Sequence, residues 1–275
     1  MEDKSKVNRD LIRAALVKAG IYPGDVILAH CSLSSFGAVE GGADTIIDAL
    51  LGAVGREGTL IVPTHTWDRV NLDSPVFDVK ETGSCVGAVS NAILARRAAR
   101  RSLHPTHSCA AVGPEKRRFL DEHEKDLTPC GFHSPYRRLL EWGGRIAFLG
   151  TGLACNTTLH AIEEIVRAPY LFSRFHDLYA INRRGRKVHV PSLRHAGGLP
   201  RRFGELGPVM EQNGIMRRSV AAGASIEVVD ARGMMEAFLP LAARDRFYLL
   251  SDEAAPQMRE WYERRPAVPR RRSPA

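Results

Sequence analysis

No apolar run in these 275 residues approaches the roughly 20 needed to cross a membrane as a helix. The charged start, Met1-Glu2-Asp3-Lys4-Ser5-Lys6, has no apolar core behind it, which argues against a secretory leader. Cysteine is scarce. Cys31, Cys85, Cys109, Cys130 and Cys155 are odd in number and lack CxxC spacing, so reduced thiols and a cytoplasmic location are expected rather than a disulfide framework. No internal repeat is visible. The net charge of +8 invites a nucleic-acid reading, yet Arg264, Arg265, Arg270, Arg271 and Arg272 supply five of those charges and leave a body of +3. The stretch holding them, 263–275, is basic and Pro-rich, too polar to bury a core, and is expected to be a disordered tail. No specific nucleic-acid site and no membrane contact are expected.

What is present is one alternating pattern of strands and helices. Val7, Leu11, Ala14 and Ala15 mark an amphipathic helix over 7–19 that ends at Gly20. Val26-Ile27-Leu28-Ala29-His30 and Thr59-Leu60-Ile61-Val62-Pro63 read as buried strands, and the helix predicted over 43–54 between them makes a βαβ crossover with a parallel pair. Further helices are predicted over 87–99, 115–125, 134–142 and 234–241, and a third buried strand over 145–149. After Pro169 the chain turns β-rich, with strand-like stretches at 179–182, 187–190 and 225–229. The 44% hydrophobic content suffices for a single α/β domain over 1–262: a three-layer α/β/α sandwich around a largely parallel or mixed sheet, with a β-richer C-terminal part.

The segment Asn156-Thr157-Thr158-Leu159-His160-Ala161-Ile162-Glu163 follows the strand and the pair Gly150, Gly152. On a helix, His160 and Glu163 share a face. A carboxylate beside an imidazole fixes one tautomer and raises the basicity of the other nitrogen, the chemistry of a general base. The same spacing also fits an ordinary surface pair, and Glu164 competes as the partner at i+4. His104 and His107 have His-x-x-His spacing, but Pro105 between them argues against a helical metal face, and no third ligand stands at useful spacing.

Four segments resemble the aminoglycoside 3-N-acetyltransferases. They are Leu28-Ala29-His30-Cys31-Ser32-Leu33-Ser34-Ser35-Phe36-Gly37 with Val39-Glu40-Gly41-Gly42-Ala43, then Arg101-Ser102-Leu103-His104-Pro105-Thr106-His107-Ser108, then Pro129-Cys130-Gly131-Phe132-His133-Ser134-Pro135, and finally 156–163 with Arg167 and Pro169 beyond. They run in family order and span about 7–250. The resemblance implies an acyltransferase that moves an acetyl group from acetyl-coenzyme A to an amine, the 3-amino group of an aminoglycoside-like acceptor, by direct transfer in a ternary complex. It implies His160 as base and Glu163 as its orienting carboxylate. Coenzyme contacts are expected from Ser32, Leu33, Ser34, Ser35, Phe36, His107 and Ser108, with the oxyanion donors near Ser108. Asp68, Asn156 and Glu164 are expected on the acceptor side, and no metal.

A loop between strand and helix can offer N–H groups to a phosphate. Arg96, Arg97, Arg100 and Arg101 are either a solvated helix face or a coenzyme-phosphate contact. An acyl-Cys31 route lacks a base partner in the sequence. His65 stands where many relatives look to carry an aromatic residue. Another amine such as a biosynthetic intermediate, a metal hydrolase built on the histidines and a homodimeric assembly stay open. So does the choice between a role in antibiotic resistance and one in biosynthesis.

Overall fold

The structure, a computed structural model, describes residues 7–264. All but the first two residues of the basic tail therefore lie outside the described residues. α1 (Arg9–Lys18) opens on Asn8, whose side-chain oxygen accepts the Leu11 N–H. β1 (Val26–Cys31), α2 (Gly42–Val54) and β2 (Thr59–Pro63) form the predicted βαβ unit, with Val26 paired to Thr59 in parallel. β3 (Val76–Asp78), α3 (Ala88–Ala95), β4 (Arg100–Arg101), β5 (Cys109–Val112), α4 (Lys116–Leu120), α5 (Pro135–Trp142), β6 (Arg145–Leu149) and α6 (Thr157–Ile165) come next. The remainder is β7 (Phe172–His176), β8 (Tyr179–Ile181), β9 (Lys187–His189), β10 (Ser192–His195), α7 (Gly207–Gln212), β11 (Met216–Ala221), β12 (Ala224–Asp230), α8 (Ala231–Arg244) and α9 (Ala254–Glu263).

Seven strands make one mixed sheet in the order β11-β12-β6-β1-β2-β5-β4. The central three are parallel, and the flanking pairings are antiparallel. Alternate residues of the central strands feed two cores. Ile27, Ala29, Leu60, Val62, Ala147 and Leu149 pack with α1, α2 and α3 on one face. Leu28, Ile61, Ile146 and Phe148 pack with α5, α6 and α8 on the other. Covering both faces explains why these strands read as continuous apolar runs instead of alternating ones. Two small sheets, β3-β8-β9 and β7-β10, hold the β-rich part after Pro169, with β3 joining from residues 76–78.

Two predicted helices are shorter than their pattern. The one over 87–99 stops at Ala95 because Arg96 is extended and ion-paired to Asp44 and Asp48 of α2, after which Arg100 and Arg101 pair with β5. The one over 115–125 breaks at Asp121, and Glu122 takes a left-handed φ of 72°. β11 was not legible: Arg217 and Arg218 interrupt its apolar residues, as an edge strand with one solvated side allows. Among the described residues, no helix is long and apolar enough to cross a membrane.

Candidate active site

The C-terminal ends of the parallel strands and the start of α6 meet in one region, the usual place for ligands in an open α/β sheet. Asn156 starts α6 by accepting the Thr158 N–H on its side-chain oxygen. One turn later His160 Nδ1 lies 2.5 Å from Glu163 Oε2, the contact that the spacing predicts. Glu163 is fully buried, and its other oxygen accepts the Tyr170 hydroxyl at 2.7 Å and Arg201 Nε at 3.0 Å. Burial by itself would raise its pKa. His160, Arg201 and Tyr170 together outweigh burial, so the carboxyl sits below its usual range and stays ionised. With Nδ1–H given to Glu163, the tautomer assigned by this network leaves the lone pair on Nε2, which has no protein partner among the described residues.

His160 lines a cavity of about 610 Å³ together with His107, His195, Arg201, Trp67 and Phe203. Ring centroids run His160 to His195 at 4.6 Å, His195 to His107 at 5.4 Å and His107 to His65 at 4.6 Å, where His65 Nε2 meets the Tyr136 hydroxyl at 2.6 Å. Burial pushes His65 and His104 down to about 3 and holds His107, His123 and His195 well below the ordinary value. These imidazoles are neutral near neutral pH, so they can stand side by side without repulsion.

A smaller cavity of about 160 Å³ opens at the ends of β1 and β2, lined by His30, Cys31, His65, Thr151 and Cys155 among others. His30 stacks on Phe148 at 5.2 Å and burial lowers it to about 4; its Nε2 is buried without a partner. Burial pushes the Cys31 thiol up to about 12, which leaves it a poor acyl acceptor.

The loop expected to face the coenzyme is a single tight turn over Leu33–Phe36, tied to the end of β6 by the Ser35 hydroxyl, which donates to the Gly150 carbonyl at 2.6 Å. Gly150 has φ +63°, and a Cβ there would lie 2.5 Å from Ser35 Cβ, so glycine is required at this approach. Phe36 is buried in the core and Leu33 packs against it. Ser32, Leu33, Ser34, Ser35 and Phe36 line neither cavity; Cys31 just before them lines the smaller one.

Several expected contacts are spent on structure. Ser108 is fully buried, its hydroxyl donating to the Thr64 carbonyl at 2.9 Å and accepting Arg101 Nε at 3.0 Å, so it presents nothing to either cavity. Arg101 is buried too. It donates to the carbonyls of Thr64 and Thr82 and lies over the Phe77 ring, so it is not part of a solvated face. Asn156 is consumed as the α6 cap and by Met234 Sδ. Glu164 turns away from the large cavity and accepts the Cys130 N–H at 2.8 Å, His195 Nε2 at 2.8 Å and the Thr128 hydroxyl at 2.6 Å; burial raises it to about 7. Asp68 sits half-exposed beside Arg69, next to Trp67 but outside the cavity lining. His104 Nδ1 accepts the N–H groups of Thr106 and His107, a loop-fixing role in place of a metal-binding one.

Arg174, His176, Arg194, His195, Arg201 and Tyr170 complete the site; the sequence marks Arg201 only within the family-like stretch Arg201-Arg202-Phe203 and gives none of the six a role. Their signal was the arginine-rich composition after Pro169, which assigns no single residue. Cys130, Glu164 and His195 bring donor atoms within 4.8 Å of one another, close enough for a cation. The Glu164 oxygens are already filled by hydrogen bonds, and burial holds the Cys130 thiol well above its ordinary value.

A family model described as aminoglycoside 3-N-acetyltransferase matches residues 28–241. Aminoglycoside N(3)-acetyltransferase III of Salmonella sp is 35% identical over 175 residues, 58% of this chain and 60% of that protein, so the chain spans less than two thirds of the relative's length. Aminoglycoside N(3)-acetyltransferase VII of Streptomyces paromomycinus is 29% identical over 264 residues, 84% of this chain and 89% of the relative. A crystal structure of aminoglycoside acetyltransferase AAC(3)-IVa in complex with gentamicin superposes with a TM-score of 0.78 at 26% identity, covering 90% of this chain and 93% of that one. On the extent of the family match, this chain belongs to the aminoglycoside 3-N-acetyltransferase family.

Proposed function

We propose that the protein is an acetyl-coenzyme A-dependent N-acetyltransferase in which His160 is the general base. The observation that carries this reading is the His160–Glu163 pair, with a free Nε2 on a cavity beside His107. An ammonium has no lone pair, and most alkyl amines are protonated near neutral pH. His160 Nε2 takes the proton as the amine nitrogen attacks the thioester carbonyl; the C–S bond then breaks and the coenzyme thiol leaves with a proton. A positioned base of this kind is worth roughly a hundred- to ten-thousand-fold. Buried Glu163, held by Tyr170 and Arg201, keeps Nδ1 protonated and stabilises the imidazolium that forms.

Acetyl-coenzyme A is the second substrate. The buried, unpartnered His30 Nε2 in the smaller cavity is a polar atom suited to meet the acyl end of such a ligand. The Ser32–Phe36 turn and His107 remain the proposed coenzyme contacts. Direct transfer in a ternary complex fits the site better than an acyl-enzyme, since burial disfavours a Cys31 thiolate. The names of the relatives make the 3-amino group of an aminoglycoside the first acceptor to examine. An acceptor of different charge is a second reading, favoured by the composition of the large cavity.

Coenzyme A at about a hundred times its Kd is expected to raise apparent stability by roughly 2.7 kcal/mol, read by thermal denaturation. His160→Ala is expected to lose about a hundredfold or more in thiol release with coenzyme binding kept. Near-normal turnover of that variant would remove His160 as the base, and absence of any coenzyme effect would remove the reaction.

A further inference from the structure

The large cavity has a second wall, built by the antiparallel β7–β10 ribbon, in which Ser192 faces His176 and Leu193 faces Phe175. Arg174, His176 and Arg194 of this ribbon all line the cavity, and Arg201 adds a third guanidinium. Among the described residues, no Asp or Glu lines the cavity. Glu163 and Glu164 are buried and already engaged by His160, Arg201 and His195. Among the described residues Arg174 and Arg194 have no carboxylate partner; Arg194 donates to the Trp67 carbonyl at 2.6 Å. Burial, followed by Arg174, holds Arg194 below its ordinary value. His176 is 5% exposed, and its Nδ1 is buried with no hydrogen-bond partner.

Two uncompensated guanidiniums and an unpartnered imidazole nitrogen are a recess lacking its counter-charge. Guanidinium forks match the oxygen pairs of phosphate and carboxylate. A polycation entering here would meet like charge from Arg174 and Arg194 on the ribbon wall, which is discrimination by repulsion. Building on the acetyltransferase reading, we propose that the acceptor is an amine that also carries an anionic oxygen group, a phosphate, phosphonate or carboxylate. Arg174, Arg194 and His176 hold that group while the amino nitrogen faces His160.

The test uses the full chain, acetyl-coenzyme A and three acceptors that differ in one group: aminobutyl phosphate, aminobutanol and putrescine, with gentamicin beside them. The kcat/KM for aminobutyl phosphate is expected to exceed the other values by about tenfold or more, the size of one good charge-assisted contact. Arg174→Ala with Arg194→Ala is expected to remove that advantage through KM and to leave coenzyme A affinity by calorimetry unchanged. Arg174→Glu, at an exposed position, is expected to shift preference toward putrescine. Preference of the unmodified protein for putrescine or gentamicin, or equal turnover of the three matched acceptors, overturns the proposal. So does a double variant that loses coenzyme A affinity, because the guanidiniums would then serve the coenzyme phosphates. Failure of the reaction itself is read separately, as coenzyme A binding without thiol release from any amine.

Discussion

The two walls of the large cavity treat charge in opposite ways. On the α6 side Glu163, wholly buried, is met by an imidazole, a phenol and a guanidinium, so every charge has its partner. On the ribbon side Arg174 and Arg194 stand without a carboxylate, and His176 without a partner for Nδ1, among the described residues. A buried charge left unpaired costs several kcal/mol, so the first wall must be complete in the folded protein on its own. The second wall is more exposed, where solvent screens the guanidiniums. The first arrangement suits a group that must keep one protonation state through a reaction. The second suits a surface that waits for an anion.

The contrast breaks most visibly at Glu163. Glu163→Gln leaves the Arg201 guanidinium buried without its counter-charge and is expected to cost about 3 kcal/mol in urea unfolding. Turnover should fall more than about tenfold with coenzyme affinity kept, since the tautomer of His160 is no longer held. Unchanged stability would show that the pairing carries less than its burial suggests.

Acid is the next lever. His30 is lowered to about 4, His65 and His104 to about 3, from an ordinary 6.5, all chiefly by burial. The unfolded chain therefore takes up protons first. The stability these groups contribute is present above about pH 6.5 and is lost as pH falls toward their folded values. Each is expected to cost on the order of 2 kcal/mol by about pH 5, so urea midpoints should drop steeply there. A midpoint flat from neutral pH to about 5 would contradict the neutral-imidazole row.

The smallest effect concerns the tie between the walls, Glu164 to His195. Glu164 is raised to about 7 by burial, so its stabilising share is present below an ordinary 4.5 and fades as pH rises through about 7. This opposes the histidines. Glu164→Gln is expected to change stability by less than about 1 kcal/mol near neutral pH and to make the acid loss steeper. A shallower acid profile in that variant would reverse the assignment.

What could be read from the chain was local or periodic. The apolar runs at 26–30, 59–63 and 145–149 and the helical period over 43–54 placed the parallel core, and the i, i+3 spacing joined His160 to Glu163. The predicted roles of Ser108, Asn156 and Glu164 could not be weighed that way, because a motif names a residue without saying which way its side chain is spent. Ser108 serves a buried arginine from a neighbouring strand, and Glu164 faces a histidine that lies 31 positions further along the chain. Tyr170, Arg201 and the cationic ribbon are likewise products of long-range closure.

Sequence alone determined the layered α/β class and the contact between His160 and Glu163, which rest on periodicity and on neighbours within one helical turn, and the family, which rests on four motifs. Only the tertiary structure decided that Glu164 is spent on Thr128, Cys130 and His195, and that one wall of the cavity is cationic. Those outcomes depend on burial and on contacts between residues far apart in the chain, and burial sets both the charge state of a side chain and the partners left open to it.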